Sequence, residues 1–100
     1  MPNADEGVAL ARSLASERLA AGVQIVGPIR SIYWWQGCLR DEQEWQLLIK
    51  TTHALFPALE NHIKANHSYE IPEIIATEIL EGSSAYLNWI STETQRTDAS

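Results

Sequence analysis

Apolar side chains recur at Val8, Ala11, Ala15 and Leu19, three or four residues apart, while Arg12, Ser16 and Glu17 lie between them. That interval is the repeat of one helix face, with the polar residues left on a solvated side. Asn3 followed by Glu6 has the spacing of a capping box with Asn as the cap, and Gly22 supplies a stop. A helix is therefore predicted from about residue 4 to just before Gly22. From Val23 the pattern becomes "VQIVGPIRSIYWW", dense in β-branched and aromatic residues, with Gly27 and Pro28 interrupting it as a bulge or kink does. This predicts a long, bent strand. "QGCLRDEQE" offers turn residues and "WQLLIKTT" a returning strand, so Val23 to Thr52 reads as a hairpin.

Thr52 is placed to cap a second helix, with Pro57 near its first turn, Leu59 and Ile63 facing inward and an end near Asn66. "EIPEIIATEIL" reads as a third strand, Pro72 standing at its start or on a sheet edge. Gly82 to Ser84 punctuate, and "SAYLNWISTET" is a short terminal helix with Tyr86, Leu87 and Ile90 on one side. The expected organisation is one domain over residues 1–95 and a flexible tail over 96–100. Helices and strands in this order predict an α+β fold, an antiparallel sheet with helices on one face. A split βαβ unit has four strands, and the first is missing ahead of a helix that opens at residue 4. Trp34 and Trp35, adjacent in a strand, must point to opposite faces of the sheet. Both faces then need cover, and a homo-oligomer supplies it economically.

Thirteen carboxylates face seven scattered cations, giving a net charge of -6. Nucleic-acid affinity comes from clustered Lys and Arg, so no nucleic-acid partner is expected. No apolar run approaches a bilayer span, and "MPNADEG" has neither the basic region nor the apolar core of a signal, which points to a cytoplasmic protein without a membrane partner. Cys38 is the single cysteine and cannot form an internal disulfide. No phosphate loop or dinucleotide fingerprint is present, and "GSSA" at Gly82 to Ala85 reads as a helix start, not a nucleophile elbow. An enzyme is not expected. His53 and His62 read as surface residues of the second helix, and Asp41, Glu42 and Glu44 as a solvated hairpin turn.

Four segments in order, "ERLAAGVQIVGPIRSIYWWQG", "LLIKT", "HSYEIPEII" and "YLNWI", resemble the successive signatures of the CutA divalent cation tolerance family, covering Pro2 to Ile90. The resemblance implies a ferredoxin-like homotrimer akin to the PII signalling proteins, whose strands continue between subunits. It also implies a strand ahead of the first helix, with Met1 where family members carry a valine, as an internal GTG start would produce. Family members commonly read "ERLAACV"; here Gly22 stands at the cysteine. Of the copper ligands proposed for bacterial members, two cysteines and the histidine of "HPY", only His67 is kept, and Cys38 falls at a different position.

The resemblance thus implies a role in divalent metal tolerance and response to metal ions, with His67 the candidate metal ligand and Glu70 a weaker one. Cu(II) accepts imidazole and carboxylate, so His67 with Glu70 or a neighbouring subunit's carboxylate can bind it modestly. Lys50, Tyr69, Glu73 and Trp89 form a second constellation. One reading is a Lys50–Glu73 ion pair between strands with the aromatics capping the core. The other is an inter-subunit pocket for a small anion, Lys50 supplying the charge and the aromatics the walls. In that alternative the protein is a PII-like ligand-binding or scaffold trimer whose metal affinity is incidental.

Overall fold

The computed structural model describes residues 1–66 and 72–95. Helix α1 (Ala4–Ser16) opens at Asn3, whose Oδ1 accepts from the Glu6 N–H at 2.8 Å. It closes sooner than its apolar period predicts, because Arg18 adopts a left-handed φ of 59°. The Arg18 N–H then reaches the Ala15 carbonyl and the Leu19 N–H the Leu14 carbonyl, both at 3.0 Å, the two bonds of a Schellman cap. Leu14 and Leu19 are both in the buried core, which gives this cap its apolar contact. The buried stripe of α1 is Gly7, Leu10, Ala11 and Leu14, with Val8 and Ala15 exposed. The predicted stripe was thus rotated: the two leucines bury more apolar area than the residues assigned to that role.

Strands β1 (Gly22–Trp35) and β2 (Cys38–Lys50) form an antiparallel hairpin. Its turn is only Gln36 and Gly37, with φ of 50° and 77°, the pair of left-handed residues that a tight two-residue connection uses. The longer turn expected across residues 36–44 is not there. Its charged residues are strand residues, Arg40 and Asp41 exposed and Glu42 and Glu44 half-buried. Between the pairs Val26–Gln46 and Ile29–Glu44, Gly27 and Pro28 oppose Trp45 alone, two residues against one, so the predicted bulge is present. Met1 lies along the other edge of β2. Its ammonium donates to the Trp45 carbonyl and its own carbonyl accepts the Trp45 N–H, each at 2.9 Å, the reciprocal exchange of an antiparallel bonded pair.

After a 3-10 turn at His53–Leu55, helix α2 (Phe56–Asn66) buries Leu59 and Ile63, as their spacing predicts. Residues 72–83 carry no strand, a correction to the third strand expected there. Ile74 packs on the core, but Ile75 and Leu80 are 79% and 86% exposed. A strand exists only by pairing, and this segment has no main-chain partner among the described residues. Helix α3 (Ser84–Glu93) starts at Ser83, whose Oγ accepts from the Tyr86 N–H at 3.3 Å, and buries Ile90. The core gathers Leu10, Leu14, Leu19, Leu59 and Ile63, with Val23, Leu47 and Ile49 of the sheet packed against it. The helices α1 and α2 therefore cover one face of the hairpin near its open end, and its turn end extends beyond them. The expected tail at 96–100 lies outside the described residues.

Candidate functional site

Of the residues singled out in the sequence, His67, Tyr69 and Glu70 lie outside the described residues. Lys50, Glu73 and Trp89 are described, and the fold brings two of them together. Lys50 ends β2 directly opposite Gly22, the first residue of β1. Cross-strand partners send their side chains to the same face, and Gln24, two residues along, joins them. Val23, Leu47 and Ile49 point to the core, so Gly22, Gln24, Leu48 and Lys50 belong to the face turned away from it. Lys50 Nζ donates to Gln24 Oε1 at 3.1 Å. From α3 the Trp89 ring reaches the same place: its Cη2 lies 3.2 Å from where a Cβ on Gly22 would be.

Glu73 is exposed and makes no ion pair with a described residue, so the Lys50–Glu73 bridge is replaced by the Lys50–Gln24 hydrogen bond. Trp89 does not cap the core; it stands 40% exposed beside Tyr86, ring centroids 5.4 Å apart and planes tilted by 35°. Gln24 was not singled out in the sequence, and Tyr86 only as a residue on one side of the terminal helix, not as part of a site. Gln24 has a signal only once the Gly22–Lys50 register is known, and Tyr86 only through its three-residue offset from Trp89 on a helix.

The position where the family carries a cysteine offers no thiol, and Trp89 occupies the space beside it. Cys38 is exposed at the first residue of β2, at the hairpin turn. Among the described residues no three His, Cys, Asp or Glu side chains are grouped to hold a metal ion. The described residues therefore do not fit a resident metal. His53 is exposed, but His62 is half-buried, not a free surface residue. Its Nε2 lies 2.6 Å from Ser13 Oγ, and Oγ donates to the Leu10 carbonyl at 3.1 Å.

The acidic residues of the hairpin are engaged locally. Arg30 Nε and Nη2 donate to the two Asp41 oxygens at 2.8 and 2.6 Å, which pulls the Asp41 carboxyl below its usual range and raises Arg30. The Tyr33 hydroxyl donates to Glu42 Oε2 at 2.9 Å, and that bond raises the phenol above its ordinary value. A shallow depression of about 320 Å³ over Pro28, Arg30, Asp41 and Gln43 contains none of the predicted site residues. No described helix is long and apolar enough to cross a membrane.

An antiparallel hairpin backed by helices, with its long arm free, belongs to the ferredoxin-like, PII-like class of α+β folds, and solved structures of that class superpose on it. The crystal structure of CutA1 from Oryza sativa matches with a TM-score of 0.92 and 46% identity, covering 95% of this chain and 87% of that one. The family described as CutA1 divalent ion tolerance protein matches residues 1–93, and the chain belongs to that family. Among curated proteins, the chloroplastic protein CutA 1 of Oryza sativa is 46% identical over 95 residues, 95% of this chain and 54% of the relative. The divalent-cation tolerance protein CutA of Thermus thermophilus is 45% identical over 94 residues, 94% of this chain and 91% of the relative. The chain thus spans about half the length of its plant relatives and most of the length of the bacterial one.

Proposed function

We propose that this protein acts in divalent-cation tolerance as a cytoplasmic homotrimer, contacting Cu(II) or another divalent ion weakly through His67, with Glu70 or a neighbouring subunit's carboxylate completing the contact. The family match over residues 1–93 carries this reading. Two features of the chain agree with it. The hairpin arm presents Ile32, Trp34 and Leu39 at 61–71% exposure, an apolar surface that a second and third copy would cover. A single imidazole with carboxylate help suits a modest, unselective Cu(II) contact better than a closed structural site. The protein on this reading senses or sequesters metal at subunit clefts and performs no catalysis.

The test is a calorimetric titration of Cu(II) into the tag-free protein and into His67→Ala, with the assembly state of both samples measured by light scattering. Saturable binding of modest affinity, lost in His67→Ala while the trimer persists, is the expected result. Binding that is the same in both proteins would remove the metal role of His67.

A further inference from the structure

We infer that the outer face of the sheet at Gly22, Gln24, Lys50 and Trp89 is a binding site for a small aromatic carboxylate. The argument begins with what is unusual about Lys50. Six cationic side chains are described. Arg18, Arg30, Arg40 and Lys64 each have a carboxylate within 4 Å, and Arg12 lies exposed on α1. Lys50 is half-buried, and its ammonium is bonded to a neutral amide, with no carboxylate in that range among the described residues. A charge removed partly from water and given only an amide oxygen keeps donor capacity for an anion. The bond also orients Gln24: its oxygen faces Lys50, so its NH2 group is free to donate to the same ligand.

Beside this pair lies a flat apolar surface. Because Gly22 has no side chain, the Trp89 ring settles onto bare backbone, Cη2 at 3.2 Å and Cζ3 at 3.9 Å from the missing Cβ position. Lys50 is the cross-strand partner of Gly22, and directly opposite positions have their Cβ atoms about 5 Å apart, so the lysine leaves the sheet on the face that the ring covers. Tyr86, 43% exposed and tilted by 35° to Trp89, gives the surface a second wall. A cation and amide donors at one edge of an open aromatic corner select a ligand with a carboxylate at one end and a planar ring at the other. Two rings and one lysine fit a single aromatic ring, not an extended molecule. The site is built from Gly22, Gln24, Lys50 and Trp89 and its probe is an organic anion without metal, so its outcome is read separately from that of the Cu(II) titration.

Benzoate is the probe, with benzamide as the uncharged match and acetate as the match without a ring, titrated into the intact protein labelled with nitrogen-15. Trp89→Leu identifies the Trp89 indole resonance. Benzoate is expected to shift that indole and the Gln24 side-chain amide saturably, while the Trp34 indole on the hairpin arm stays still. Benzamide and acetate should each bind about tenfold more weakly or worse, and Lys50→Met should weaken benzoate by a similar factor. A Lys50→Met protein with unchanged Trp34 and Trp35 resonances is folded; if it is not, the comparison of the three ligands decides alone. Equal binding of benzoate and benzamide would leave only an aromatic surface. Equal binding of benzoate and acetate would leave only a charge, and no shift at tens of millimolar benzoate would leave no site. Each of these three results overturns the proposal.

Discussion

At Gly27 an added Cβ would sit 2.5 Å from Cδ1 of Trp45 and within 2.8 Å of two more ring atoms, whereas at Gly37 it would meet nothing within 4 Å. The two glycines are thus required for different reasons. Gly37 is needed for its left-handed φ of 77°, which costs an alanine about 1 kcal/mol, and Gly27 for space, where overpacking costs about 1–3 kcal/mol. Urea denaturation should therefore rank Gly27→Ala as more destabilising than Gly37→Ala; the reverse order would mean that Trp45 moves aside freely. The glycine and proline at 27 and 28 made the bulge legible in the sequence. The seat of the Trp45 ring on Gly27 was not, because it depends on which residue of the other strand faces the bulge.

Pairs of side chains between β1 and β2 hold the hairpin arm beyond the bulge, and they titrate. The Asp41 carboxyl lies below its ordinary value of 3.8 in the folded chain because of Arg30. The stabilisation linked to it is complete above that ordinary value and is lost as pH falls through the folded one. Tyr33 shifts the other way, above 10.0, because its hydroxyl bonds Glu42, so its contribution is complete below 10.0 and disappears as pH rises through the folded value. The Arg30–Asp41 pair is solvent-exposed and the Tyr33–Glu42 pair only partly buried, and the effects are small. Following the Trp34 and Trp35 indole resonances against pH should show an acid-side change removed by Asp41→Asn and an alkaline-side change removed by Tyr33→Phe. An arm whose resonances ignore both substitutions would show that the ladder alone holds it. At this scale the sequence reading was right about helices and hairpin and wrong where pairing decides. "EIPEIIATEIL" has the composition of a strand, yet no main-chain hydrogen bond joins residues 72–82 to another described residue to make it one. The Lys50–Trp89 corner was half visible for the same reason. Residue types suggested it, but only the Gly22–Lys50 register placed Gln24 in it and left Glu73 without its expected partner.

Considered whole, the molecule is 44 Å long and 23 Å across its narrowest dimension, and fourteen β1 residues at about 3.3 Å each account for that length. Core packing occupies one end of the hairpin; the other carries Trp34, 71% exposed, opposite Leu39 and beside Ile32. If this arm is what other copies cover, Ile32→Ser with Trp34→Ser should move the particle mass measured by light scattering from three chains toward one, while leaving the helical circular dichroism unchanged. A trimer that survives both substitutions would place the contact elsewhere. The paired tryptophans made this surface predictable from sequence, but not its distance from the core. That distance turns the bulge into a joint with a lever attached. From Ile29 to Trp35 the arm is about 20 Å long, so a reorientation of about 5° at Gly27 and Pro28 moves Trp34 by nearly 2 Å. A methyl group added at the joint would be amplified into a displacement at the far end, so the placing of the arm's apolar surface depends on a residue that lies outside it.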